Sequence, residues 1–358
     1  MWIGSGILDD VPSAKHIQAI LTPLGQTLRS IRRPESGLTG SVFILETTQG
    51  DLFLKVSRDP ASDWKINKER IVYGLLRGQG IPAPKVLKTD LSRTFAPFAY
   101  SLSERLPGLT LSQAYENMSA AERLDAYRQL GEFLGRMHSL TFDGFGDVTE
   151  REGMVIVGAA WELAEESAAN VGPFTTWGEM HRKVVRGRLS FLSRTEFHDL
   201  AEPVARWFGH HEGLLDYPIV PRLLHMDLHM SNILVSGGMV SGILDVEEAV
   251  IGHNEYDLMR TELAHFGDGY ESLREAFFEA YTAHVRLDDG YEGRKPLYEL
   301  SRWLVGLKCL IYYGSRVAPD LAEEARRMRA RIRELMEEPP VTLPPRRRGR
   351  RRGGLSSF

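Results

Sequence analysis

Leu224-His225-Met226-Asp227-Leu228-His229-Met230-Ser231-Asn232-Ile233-Leu234-Val235, followed by Ile243-Leu244-Asp245, is the stretch on which the fold of this 358-residue chain turns. Ser236-Gly237-Gly238 separates the apolar run 233–235 from the run 239–244. Gly-Gly accepts the positive φ angles of a two-residue turn, so the two runs are expected to pair as a hairpin. With Gly237 and Gly238 as the turn, Ser236 pairs with Met239 and Asn232 falls opposite Ile243. Asp245 is then the diagonal, same-face neighbour of Asn232, and the two side chains would share one cation. A slip of one residue would send them to opposite faces. Asp227 precedes Asn232 by five residues, on the loop entering the hairpin, where its carboxylate would reach a substrate hydroxyl beside the metal.

The pattern His225-x-Asp227-x-x-x-x-Asn232 followed by Asp245 resembles the aminoglycoside phosphotransferase family, small-molecule kinases with a protein-kinase-like fold. Gly252-His253-Asn254-Glu255-Tyr256-Asp257-Leu258 is similar to the Tyr-Asp-Leu segment that follows the metal-binding Asp in that family. The resemblance extends over most of 31–338. It implies an α+β, bilobal fold with a small β-rich N-lobe over 1–105 and a larger, mostly helical C-lobe over 106–338. It also implies a loop-bracing rather than chemical role for His225. A rival assignment makes His225, Asp227 and His229 ligands of a hydrolytic metal site. It leaves Asn232, Asp245 and the N-terminal region without a purpose.

Composition agrees with a globular protein: 42% of residues are hydrophobic and 26% charged. Cys309 is the only cysteine, which excludes an internal disulfide framework, and 1–10 has no basic start followed by an apolar segment. A cytoplasmic protein without a membrane span is the expectation. Lys and Arg number 44 against 48 Asp and Glu, yet Arg346, Arg347, Arg348, Arg350, Arg351 and Arg352 all fall in the last 13 residues. The body is therefore acidic. The tail 339–358, rich in Pro, Arg and Gly, is expected to be disordered, with at most nonspecific electrostatic contact to nucleic acid.

A helix is expected over 13–21, strands over 41–47 and 51–56, and a helix over 63–77. Gly37-Leu38-Thr39-Gly40-Ser41 stands where a kinase keeps its phosphate-covering hairpin, which makes Ser41 a nucleotide-binding candidate by position alone. Lys55 alternates with Leu54 and Val56 on a strand, where the phosphate-gripping lysine of a kinase-like N-lobe belongs. Glu69 lies in the apolar stripe of the following helix, three residues after Ile66 and before Val72, so it needs a partner; Lys55 is the expected one. Strand 97–104 leads, by resemblance, into a hinge whose backbone from Glu104 to Leu106 meets the adenine ring. Ser119-Ala120-Ala121-Glu122 is a capping box opening a long helix that ends near His138, expected to be a satisfied core histidine. Residues 150–217 hold helical stretches carrying Trp161, Trp177 and Trp207; the cluster His181, Arg182, Lys183, Arg186 and Arg188 reads as a solvated face.

The implied chemistry is transfer of the γ-phosphate of ATP to a hydroxyl of a small molecule. Lys55, oriented by Glu69, would hold the phosphates; Asn232 and Asp245 would hold Mg²⁺; Asp227 would take the hydroxyl proton. Asp245-Val246-Glu247 departs from Asp-Phe-Gly, and a helix expected from about Asn254 leaves no room for an activation segment, so a protein kinase is excluded. A nucleotide-binding module without turnover would have lost one of Lys55, Asp227, Asn232 or Asp245, and all four are present. Glu247, Glu248, Glu255, Asp257, Glu262 and Asp268 crowd the segment after Asp245; those facing the cleft would draw a polycation, pointing to an aminoglycoside-type acceptor. The alternative is a metabolite such as homoserine, choline or a sugar-like alcohol.

Overall fold

A computed structural model describes residues 11–34, 42–160, 171–314 and 320–337. The segment 37–41 with Ser41, Trp161, and the tail 339–358 lie outside these residues.

Helix α1 (Ala14–Leu21) is capped by the Ser13 hydroxyl, which accepts from the His16 amide. Strands β1 (Leu28–Arg32), β2 (Val42–Thr47) and β3 (Gly50–Ser57) precede helix α2 (Asp63–Gly78), and β4 (Val86–Asp90) and β5 (Ala99–Glu104) follow it. The five strands form one antiparallel sheet in the order β1-β2-β3-β5-β4. Alternation decides the faces of β3. Leu52, Leu54 and Val56 are buried, packing with Phe43, Leu45, Tyr100 and Leu102 against Ile17, Ile20 and Leu21 of α1. Lys55 therefore points to the opposite face, toward α2. The role of the N-terminal helix, unreadable from its mixed sequence, is to cover this sheet.

The remainder is mostly helical, with two small sheets. β6 (Leu109–Thr110) and the short α3 (Leu111–Ala114) lead to α4 (Ala120–Ser139), whose Ser119/Glu122 capping box forms as expected. β7 (Gly146–Arg151) and β8 (Met154–Gly158) add a strand pair at the start of 150–217, ahead of its expected helical stretches. The β-branched run Val155-Ile156-Val157 pairs back on β7 through a turn in which Glu152 and Gly153 both take positive φ, 53° and 78°. After α5 (Trp177–Leu192) and α6 (His198–His211) come β9 (Arg222–Leu224), β10 (Ile233–Ser236), β11 (Met239–Ile243) and β12 (Val250–Gly252). α7 (Asn254–His265), α8 (Glu271–Thr282), α9 (Tyr291–Tyr313) and α10 (Leu321–Glu337) complete the described chain. β6, β10 and β11 form one small sheet; β8, β7, β12 and β9 form the other.

Ile71, Val72, Tyr73 and Leu76 of α2 share a core with Leu130 and Leu134 of α4, Leu228, Ile243 and Phe277. α4 and α8 approach closely at Gly131, where an added Cβ would stand 2.1 Å from the Phe277 carbonyl oxygen. The expected solvated cluster on α5 is only partly so. His181 and Arg188 are buried, and Arg188 donates to the Ser301 carbonyl and hydroxyl at 2.7 Å each. Among the described residues no helix is long and apolar enough to cross a membrane.

Candidate active site

The loop after β9 is held open by one carboxylate. Asp257, near the start of α7 and fully buried, accepts from the amides of His225 at 2.6 Å and Met226 at 2.9 Å, and from His138 Nε2 at 3.0 Å. Met226 takes φ +70°, a left-handed conformation rare for a side chain of its kind, and this turns the chain so that Asp227 faces outward. His225 is spent on the backbone: Nε2 donates to the Leu244 carbonyl at 3.0 Å and Nδ1 accepts from the Asp227 amide at 3.2 Å. Burial holds its pKa below the ordinary value. Both nitrogens are occupied, so His225 is not available as a metal ligand, and it ties the loop to the strand end carrying Asp245. His265 braces the next residue, donating to the Leu228 carbonyl at 2.9 Å.

Around Asp227, His229 Nε2 lies 3.5 Å from Oδ2, Arg260 lies 3.7 Å from Oδ1, and the Asn232 amide group donates to the Asp227 carbonyl at 2.9 Å. Burial would raise the Asp227 pKa, but His229 and Arg260 outweigh it and bring it down to about 2. Asp227 is thus an ionised acceptor at neutral pH. His229, undecided from sequence, is its neighbour.

The hairpin forms with Ser236 opposite Met239, as its turn residues require. A register shift between Leu234 and Val235 corrects the rest: Ile243 pairs with Ile233 rather than Asn232, and the Leu244 amide donates to the Asn232 carbonyl at 2.8 Å. Asp245 then lies beyond the strand, at φ +56°. It reaches its place through a bulge and a left-handed residue, not through simple alternation. One buried Asp245 oxygen, Oδ1, has no hydrogen-bond partner, and its charge lies within electrostatic reach of Asp227.

Lys55 Nζ stands 3.3 Å from Glu69 Oε2, 2.8 Å from Glu247 Oε2 and 4.0 Å from Asp245 Oδ1. Burial alone would depress its pKa, and the three carboxylates instead hold the ammonium above its ordinary value. Tyr73, one turn after Glu69 on α2, donates to Glu69 at 3.2 Å and accepts from the Asp245 amide at 3.0 Å. Lys65 pairs with Glu247 at 3.4 Å and Glu248 at 3.9 Å. From sequence Glu247 reads only as part of an acidic run, not as a partner of Lys55, and Tyr73 has no readable role; the signals are the two-residue spacing from Asp245 and the four-residue spacing from Glu69. Among the described residues no three acidic, His or Cys side chains are gathered to hold a metal ion, and Glu247 is taken up by Lys55 and Lys65; Asp245 Oδ1 is left as a hard oxygen of the kind Mg²⁺ takes.

At the expected hinge, the Glu104 amide donates to the Lys85 carbonyl at 3.0 Å, and Arg105 pairs with Asp51 at 2.6 Å. The acidic stretch after Asp245 is turned largely into its own ion pairs. Glu255 is buried against Arg294 at 2.5 Å, and Glu262 against Lys295 at 3.1 Å and Arg274 at 2.8 Å. Asp268 is exposed. An acidic face for drawing in a polycation is therefore not what these residues build.

A model of the phosphotransferase enzyme family matches residues 30–297. A homoserine kinase of Pseudomonas aeruginosa is 26% identical over 312 residues, covering 84% of this chain and 85% of that protein. A hygromycin-B 4-O-kinase of Escherichia coli is 22% identical over 200 residues, 53% of this chain and 50% of that protein. Among solved structures, the aminoglycoside phosphotransferase APH(4)-Ia superposes with a TM-score of 0.61 at 17% identity, over 90% of this chain and 98% of that one. A thermostable mutant of it, in ternary complex with ADP and hygromycin B, gives 0.60 at 18% identity over 88% and 96%.

Proposed function

The chain belongs to the phosphotransferase enzyme family and is an ATP-dependent phosphotransferase of small molecules; from that premise we propose that it phosphorylates a hydroxyl of a small metabolite of the hydroxy amino acid kind. The observation that carries the assignment of roles is the row formed by Asp227, Asp245 and Lys55. Asp227 is an ionised acceptor, Asp245 has an unpartnered buried oxygen within its reach, and Lys55 is 4.0 Å from that oxygen.

Phosphoryl transfer has a loose transition state, so the protein contributes position and charge more than bonds. Asp227 accepts a hydrogen bond from the acceptor hydroxyl, which aims the oxygen at phosphorus, and takes the proton as that oxygen loses its basicity late in the step. Lys55 holds the phosphates; Glu69, fixed by Tyr73, keeps its ammonium directed. Asn232 and Asp245 would hold Mg²⁺, which supplies positive charge against the phosphate oxygens. The Glu104 amide is committed to Lys85, so at the hinge the Leu106 amide is the proposed donor to adenine, with Ser41 over the phosphates. A reducing, cytoplasmic compartment suits a chain with Cys309 as its one thiol.

Similarity to homoserine kinase over most of the chain favours the metabolite. Similarity to the hygromycin kinase favours a second reading, an aminoglycoside acceptor, which would make this an antibiotic-resistance enzyme. ADP release with a panel of homoserine, choline, a thioribose-like sugar and several aminoglycosides decides. Turnover with homoserine is the expected result. Nucleotide binding without turnover on any alcohol would return the chain to the class of binding modules.

A further inference from the structure

Helix α7 grips the catalytic loop at successive residues. Asp257 takes the amides of His225 and Met226, and His265 donates to the Leu228 carbonyl. Between them on the same side of the helix, Arg260 meets the residue in the middle: its Nη2 stands 3.7 Å from Asp227 Oδ1. Asp257 and His265 hold main chain, whereas Arg260 reaches a side chain. At that distance the contact is an ion pair rather than a hydrogen bond. A largely buried guanidinium needs a counter-anion, and Asp227 is the carboxylate paired with it among the described residues.

The main chain of Asp227 is fixed without Arg260. Its amide donates to His225 Nδ1 at 3.2 Å, and its carbonyl accepts from the Asn232 side-chain amide at 2.9 Å. The carboxylate is the part left to turn, and its two oxygens meet unlike neighbours. Oδ2 faces the Asn232 side-chain nitrogen at 3.4 Å and His229 Nε2 at 3.5 Å. The His229 side chain is 44% exposed and sits on the loop itself, so an incoming molecule can displace it. Arg260 is only 14% exposed and is carried by a helix whose other contacts already define the loop.

Resting on the phosphotransfer reading above, we infer that Arg260 is a positioning residue: by holding Oδ1 of Asp227 it turns Oδ2 toward Asn232, where the acceptor hydroxyl is received. A base acts only when aimed at its proton, and a misplacement of about 1 Å can cost on the order of a hundredfold in rate.

Steady-state kinetics of the full chain, with the best acceptor of the panel above, test this. Arg260→Gln should lower kcat about ten- to a hundredfold while the acceptor KM and the Mg-ATP Kd stay within about threefold, the pattern of an interaction realised in the transition state. Arg260→Lys, which restores the cation without the fork, should recover part of the loss. Arg260→Gln placed on Asp227→Ala should change the residual kcat by less than about twofold, since a residue acting through Asp227 has nothing left to aim. Single turnovers with labelled ATP read that residual rate. Urea midpoints and Mg-ATP calorimetry verify folding; were Arg260→Gln unfolded, Arg260→Lys in the two backgrounds decides by the same non-additivity. An undiminished effect in the Asp227→Ala background overturns the inference, because Arg260 then acts on substrate directly. A change confined to the acceptor KM or the ATP Kd, or equal kcat in the Gln and Lys variants, overturns it as well. Unchanged kcat in Arg260→Gln overturns it and leaves phosphotransfer standing. Absence of ADP formation by the wild type with every alcohol overturns both.

Discussion

The Lys55 ammonium sits closer to Glu247, at 2.8 Å, than to Glu69, at 3.3 Å. With Asp245 also at 4.0 Å, three carboxylates depend on one cation for much of their compensation. Lys55→Met should therefore lower stability at pH 7 by about 3 kcal/mol, the lower end for removing one partner of a largely buried ion pair. The loss should shrink near pH 4.5, where the stranded carboxylates take up protons. Urea melts at the two pH values check this; an equal loss at both would mean that packing, not charge, is involved.

Asp227→Ala and Asp245→Ala should separate chemistry from nucleotide binding. The first is expected to lower kcat by at least about a thousandfold while Mg-ATP affinity stays within about threefold, since the role proposed for Asp227 is toward the acceptor rather than the nucleotide. The second should weaken Mg-ATP binding by about tenfold or more. Calorimetry with Mg-ATP on both variants is the check. Unaltered nucleotide affinity in Asp245→Ala would remove Asp245 from the metal site.

Asp227 carries a pKa of about 2 in the folded protein against an ordinary 3.8. A depressed carboxylate contributes stability that is fully present above its unfolded pKa and is lost as pH falls through the folded one. That contribution should persist at neutral pH and fade between about pH 4 and pH 2, which comparing acid unfolding of wild type and Asp227→Asn will show. By the same logic an acid limb in kcat/KM between pH 5 and 7 does not belong to Asp227. His229→Gln should abolish such a limb if His229, whose pKa the Asp227 carboxylate raises, is its source.

Asp257→Ala should be the most damaging substitution near the site that touches no substrate. It strands His138 and the amides of His225 and Met226 in a buried position. The expected cost is about 3–5 kcal/mol, read from urea midpoints. Asp257→Asn, which keeps one acceptor, should cost less and still lower kcat through misplacement of Asp227.

Much of this site was legible because its residues obey local periodicities. Lys55 follows from strand alternation, Glu69 from its apolar helical stripe, and the capped start of α4 from Ser119 and Glu122. What escaped depends on contacts between distant segments or on departures from ideal geometry. The bulge after Leu234 and the positive φ of Asp245 leave no mark in the residue pattern, so the expected diagonal pairing across the hairpin was not how Asp245 arrives. Glu247, Glu255 and Glu262 read as an acidic run, yet their partners Lys55, Arg294 and Lys295 lie 39 residues or more away in sequence for the first two and 33 for the third. The strand Met154–Gly158 escaped because the region reads only for its helical stretches, and its partner β7 is joined to it by a turn of two positive-φ residues, Glu152 and Gly153.

The shared packing of α2 has a mechanical side. Glu69 and Tyr73 ride on a helix whose inner face is cemented to α4 and the catalytic loop, whereas Lys55 is borne by a sheet with its own core under α1. The Lys55–Glu69 contact is thus a coupling between two separately anchored bodies, and its length gauges how the sheet is seated over the catalytic loop. Softening the sheet core on the face of β3 opposite Lys55, as Leu54→Ala would, should slacken the proposed grip on phosphate while Asp227 and its supports keep their geometry.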